Sequence, residues 1–170
     1  MDRYPNHQFA ASSAQQYAWL ESLYPKAFDR VTQYIKEGRF HYVGGAWLEH
    51  DCMMPSGESL VRQYLYGQRY FRKKFGNYCR EAWLPDTFGY ASQLPQILRL
   101  AGLNYFFTQK VSPRPSQRSE EESTRTKLTI QISWNNINVF PYSTFNWSGI
   151  DGTQVLAHMT PVDNYNGQCT

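Results

Sequence analysis

The 170-residue sequence predicts an α/β fold with parallel strands. Short aromatic or β-branched runs closed by Gly or Pro alternate with longer stretches whose apolar residues recur every three or four positions, the rhythm of strand–helix units. One of the apolar runs also ends in an acid. In Ala82-Trp83-Leu84-Pro85-Asp86-Thr87-Phe88-Gly89, Pro85 donates no backbone hydrogen bond and closes the strand, Gly89 permits a turn, and a helical pattern follows. α/β folds carry catalytic groups at this place, the carboxyl end of a strand.

Taken in order, Gln8 to Ala11 reads as a short strand, and Ser12-Ser13 as the cap of a helix through Gln16, Trp19 and Leu23. Pro25 at a first helical position, with Phe28, Val31 and Ile35 on one face and Gly38 past the end, predicts a second helix, and Phe40 to Val43 the strand after it. Gly44-Gly45 lets the chain turn sharply, which puts Trp47, Glu49 and Asp51 in a loop at that strand's carboxyl end. Leu60, Val61, Tyr64, Leu65, Phe71 and Phe75 mark a longer amphipathic helix that Gly76 ends. After the Asp86 turn, Ser92 reads as an N-cap, with Leu94, Ile97, Leu98 and Ala101 at helical spacing up to Gly102. Asn104 to Thr108 is an aromatic strand. Phe145 to Trp147 and Val155 to Met159, separated by Ser148-Gly149-Ile150-Asp151-Gly152, read as a hairpin or two neighbouring strands, and Asp163 to Gly167 as a loop.

Composition excludes several functions. The net charge is +3 and the basic residues are scattered, which argues against a nucleic-acid partner. No apolar run approaches the roughly 20 residues of a membrane span, and the first residues lack the apolar core of a signal peptide. Cys52, Cys79 and Cys169 form no complete pairing scheme and favour a reducing compartment. At 16% the aromatic content is high; such residues stack on sugar rings, although burial is their usual fate. His7, His41, His50 and His158 form no ligand-spaced cluster. The segment 111–131 has no aromatic residue and the composition of a disordered loop.

The stretch Trp83-Leu84-Pro85-Asp86-Thr87-Phe88-Gly89-Tyr90, followed by Gln93-Leu94-Pro95-Gln96-Ile97, resembles the nucleophile segment of glycoside hydrolase family 38, the retaining α-mannosidases, and most closely their cytosolic and vacuolar branch. Gly44 to Asp51, Pro55 to Gln63, Thr108-Gln109-Lys110 and Ser133-Trp134-Asn135 extend the resemblance over nearly the whole chain. Ala91-Ser92 departs from the commoner Ser-Ala. The resemblance implies hydrolysis of terminal α-mannose from oligosaccharides, with Asp86 as nucleophile and as ligand of one zinc ion. It further implies sugar contacts from Phe88, Lys110, Tyr165 and Asp51, a scaffold or site role for Glu49 and Asp51, and a cytoplasmic or vacuolar location. Asn166 stands where some relatives carry an aspartate. A turn aspartate is the bland alternative for Asp86, and a non-catalytic sugar-binding or inactive product the alternative for the chain.

The implied fold is a partial (β/α) barrel spanning 1–170 and truncated at both ends, since such barrels take about 250 residues. The family's His-x-Asp zinc motif is expected before Met1, and its acid/base aspartate and late zinc histidine beyond Thr170. The chain by itself is therefore expected to hold no zinc and to be inactive; whether a full-length form is a homo-oligomer is not fixed by sequence. The segment 111–131 has no counterpart in the family pattern. It is expected to be an inserted surface loop or a retained intron, whose donor, branch and acceptor signals codons for Val-Ser, Leu-Thr and Gln can hold.

Overall fold

The computed structural model describes residues 1–109 and 142–160. Lys110, the segment 111–131, the loop with Tyr165 and Asn166, and Cys169 lie outside the described residues. The element order is β1 (Phe9–Ala11), α1 (Ala14–Leu23), α2 (Pro25–Lys36), β2 (Phe40–Tyr42), α3 (Gly57–Phe75), β3 (Glu81–Trp83), α4 (Leu94–Leu100), β4 (Tyr105–Thr108), β5 (Thr144–Ser148) and β6 (Gln154–Met159).

This is the expected mixed α/β architecture. β1 pairs with β2 in a two-stranded parallel sheet, and β3, β4, β6 and β5 form a four-stranded sheet in that order, parallel except for the antiparallel edge pair β5–β6. A backbone bond from Gly44 N–H to Glu81 O (3.2 Å) ties the end of β2 to the start of β3, so the two sheets meet edge to edge. A closed barrel is not formed among the described residues.

The alternation along β6 shows how the sheet is held. Val155, Ala157 and Met159 are buried while Gln154, Leu156 and His158 face away, so one face joins Phe106, Ala82, Leu94, Leu98 and Trp147 in a continuous core. A second aromatic group closes the core under the smaller sheet: Tyr17 meets Phe71 and Phe75 edge-on at 5.6 and 5.5 Å, and Tyr42 stacks on Phe71 at 5.4 Å.

α3 joins the two sheets. It starts at Ser56, whose side chain accepts from Ser59 N–H. Arg72, Lys73 and Lys74 complement the dipole in its last turn, and Gly76 ends it in the left-handed conformation. Its packing differs from the expected stripe. Val61 and Leu65 are exposed, whereas Gly67 and Gln68 are buried beside Leu60, Tyr64 and Phe71. Gln68 explains the reversal: its amide nitrogen donates to Cys79 O and Ala101 O, and its oxygen accepts from Cys79 N–H at 2.9 Å, so a polar side chain satisfies backbone groups of two loops inside the core.

Two expected caps are absent. Ser13 precedes α1 but its side chain makes no cap bond, and α4 starts after Gln93 rather than Ser92. The backbone oxygen of Ser92 instead accepts from Ile150 N–H, which docks the β5–β6 turn.

Candidate functional site

β3 ends at Trp83, but its pairing runs two residues further. Leu84 N–H donates to Phe107 O, and Gln109 N–H to Pro85 O. Asp86 thus stands where the sheet releases the chain. Tyr90 holds the turn from beneath: fully buried, it donates its hydroxyl to Leu84 O at 2.6 Å, which leaves the Thr108 hydroxyl, also at 2.6 Å, to donate to the phenol oxygen. Burial pushes the Tyr90 phenol up, so it remains a donor. Thr87 is buried, and Asp86 and Phe88 are exposed.

The opposite wall is the loop after β2. Gly44 and Gly45 take φ of 93° and 67°, conformations closed to side-chain-bearing residues without strain, and turn the chain away from the sheet. Trp47 N–H and Leu48 N–H then donate to the backbone and side-chain oxygens of Gln63, and the Trp47 indole donates to Gln15. Glu49 N–H donates to Ser13 Oγ at 3.0 Å, while Ser12 Oγ donates to Glu49 Oε1. The serines read as caps are thus anchors for a residue far along the chain. Ser13 is held at φ 67°, a conformation that costs about 1–3 kcal/mol and persists where surrounding bonds fix it.

His50 follows, 7% exposed, with Nδ1 at 3.0 Å from Asp51 O. Burial lowers its pKa and favours neutral imidazole. Asp51 Oδ1 accepts from Met53 N–H and Met54 N–H, both at 2.7 Å, and these bonds hold the carboxyl below its usual range. Because the folded-state pKa is depressed, the stabilisation is present above the ordinary aspartate pKa near 3.9 and is lost as pH falls through the lower folded value. A carboxyl-carbon NMR titration of Asp51 is expected to give a midpoint below that value, and Asp51→Asn to remove the acid-side loss of loop order. A midpoint at or above 3.9 refutes the pair of backbone bonds.

Glu49, His50, Asp51, Asp86, Thr87 and Phe88 together line one open cleft of about 320 Å³. The structure thus brings together Asp86, Phe88 and Asp51 from the sequence-derived set, with Glu49. Lys110 and Tyr165 lie outside the described residues. Among the described residues no group of three His, Cys, Asp or Glu side chains is placed to hold a metal ion. Cys52, beneath the cleft, has its thiol pushed up to about 12 by burial and is an inert core residue. Sequence reasoning missed Ser12, Ser13 and the Tyr90 staple; two adjacent serines directly after a strand were the available signal.

The model of the family described as "Glycosyl hydrolases family 38 N-terminal domain" matches residues 1–127 and 113–169. The chain is 48% identical to an alpha-mannosidase of Saccharomyces cerevisiae over 97% of its own length and 13% of that protein's. It is 46% identical to Alpha-mannosidase G of Dictyostelium discoideum and 44% to human Alpha-mannosidase 2C1, in each case over 99% of this chain and 14% of the relative. The chain therefore spans about one-seventh of the length of these relatives. Among solved structures, an alpha-mannosidase from Enterococcus faecalis superposes with a TM-score of 0.71 at 21% identity, covering 94% of this chain and 16% of that one. A 4-alpha-glucanotransferase from Thermococcus litoralis gives 0.66 at 18%, over 93% and 22%. At these identities the likeness is one of fold.

Proposed function

The chain belongs to the glycosyl hydrolase family 38 N-terminal domain family, and from that membership we propose that the full-length protein is a retaining α-mannosidase with Asp86 as its nucleophile. The observation that carries the reading is the position of Asp86 at the carboxyl end of a parallel strand, in a cleft shared with Phe88 and two further carboxylates, within a chain nearly half identical to named α-mannosidases. The carboxylate attacks the anomeric carbon of a terminal α-mannose, the glycosidic bond breaks, and its oxygen takes a proton from a second acid. Water then hydrolyses the mannosyl ester with that same acid, now ionised, as base.

Phe88, 63% exposed at the cleft, supplies an apolar wall for the ring's C–H face. Asp51, Lys110 and Tyr165 are proposed sugar contacts, the last two outside the described residues. Asp86 would give one donor to the zinc ion proposed for the full-length protein; attack at carbon is the work of the carboxylate. The parallel order β3–β4–β6, with helices on the buried face and the cleft at the strand ends, supports a partial (β/α) barrel. A cytoplasmic or vacuolar location is proposed alongside the finding that no described helix is long and apolar enough to cross a membrane.

The test is hydrolysis of an aryl α-mannoside by the full-length protein, followed by proton NMR before the released sugar equilibrates. α-Mannose is expected as first product. β-Mannose as first product refutes the double displacement, and cleavage of other aryl glycosides but not the mannoside refutes the substrate.

A further inference from the structure

Within the cleft one carboxylate is held by bonds that neither helix, strand nor core requires. Glu49 is exposed, yet Ser12 Oγ donates to its Oε1 and its own N–H donates to Ser13 Oγ. The two serines are buried, at 8% and 4% exposure, and Ser13 is the one non-glycine residue with positive φ among the described residues. An exposed glutamate otherwise samples many rotamers, and ordering it is entropically unfavourable. Strained backbone of this kind gathers where ligands are held.

The next residue, His50, is a fixed part of the same wall. His50 Nδ1–H is directed to Asp51 O, which leaves Nε2 as an acceptor, buried and without a hydrogen-bond partner among the described residues, in a ring that packs edge-on against Tyr64 at 5.4 Å. The acceptors that line the cleft are the carboxylates of Glu49, Asp51 and Asp86, so a ligand matched to it brings donors. Vicinal hydroxyls of a sugar do so.

We propose that Glu49 binds the sugar in this cleft, its Oε2 accepting from ring hydroxyls while Ser12 and Ser13 act as positioning residues that fix the carboxylate beforehand. The proposal rests on the reading of the cleft as the mannose site. A carboxylate already oriented loses less entropy when the sugar arrives, and a hydroxyl-to-carboxylate bond is stronger than a neutral one.

The test uses the full-length protein and an aryl α-mannoside. Glu49→Gln keeps the size and removes the charge; KM is expected to rise about 10- to 100-fold with kcat within about threefold, the pattern of lost uniform binding. Ser12→Ala is expected to raise KM less, and the double variant to match Glu49→Gln, because the serine acts through the glutamate. A KM for Glu49→Gln within about twofold of wild type, or serine and glutamate effects that multiply, overturns the proposal. Failure of the mannosidase reading looks different. If Asp86→Asn protein binds no methyl α-mannoside by saturation-transfer NMR but wild type cleaves another aryl glycoside, the sugar is reassigned and the same KM comparison on that glycoside decides the role of Glu49. Binding of no glycoside at all overturns both.

Discussion

Replacing Asp86 by Asn in the full-length protein is expected to lower kcat on an aryl α-mannoside by about 10⁴-fold or more, the scale of other nucleophile deletions. The amide preserves the turn, since Asn adopts the same local hydrogen bonds as Asp, but its oxygen is a poor nucleophile and the covalent intermediate does not form. Stability is expected to change by less than about 0.5 kcal/mol because the side chain is exposed. Asp86→Ala with added azide gives a sharper result. The small anion attacks the anomeric carbon from the face the carboxylate has vacated, the aryl group leaves, and β-mannosyl azide accumulates. An Asn variant retaining a tenth of the wild-type rate removes Asp86 from the role.

Gly67→Ala is the second large effect, and its sign opposes the usual rule. In a helix interior Gly is normally about 1 kcal/mol worse than Ala. Here a Cβ would lie 2.7 Å from Ala46 Cα and closer still to the Ala46 carbonyl carbon and the Gly45 oxygen, all backbone atoms that no rotamer change can move. The helix and the loop after β2 must separate, at about 3 kcal/mol, which lowers the thermal midpoint by roughly 6–12 °C in a domain of this size. The displaced loop is the one that carries Glu49, His50 and Asp51, so kcat/KM is expected to fall by about 10-fold or more as well. A variant that melts at or above the wild-type temperature with full activity would show that this contact is not tight.

The order of elements was legible because Gly38, Gly76 and Gly102 sit just past helix ends and Pro25 just inside a start, all local signals. The cluster of Asp86, Phe88 and Asp51 was legible for a different reason, since their surrounding sequences resemble one family. What local reading could not reach were partners distant in sequence. A serine before a helix is a cap by pattern, but Ser13 meets Glu49 instead, and Ser92 meets Ile150 through its backbone oxygen. The same limit misjudged α3, where apolar Val61 and Leu65 face water because the buried contacts with neighbouring loops are made by Gly67 and Gln68. Lys110 and Tyr165 fall outside the described residues and stay proposals.

The seam between β2 and β3 has a mechanical consequence. Glu49, His50 and Asp51 extend from the smaller sheet and Asp86 from the larger, and the strands that bear them meet at the backbone bond from Gly44 to Glu81. Within each sheet a ladder of backbone bonds fixes the spacing of neighbours, whereas the seam has the backbone bond from Gly44 to Glu81, a longer contact from the Cys79 thiol to Tyr42 O at 3.8 Å, and apolar packing that has no preferred direction. The two sheets form the arms of a caliper with its pivot at Gly44. A small rotation there would be magnified over the length of the loops into a change in jaw width, the gap between the carboxylates of Glu49 and Asp51 and that of Asp86.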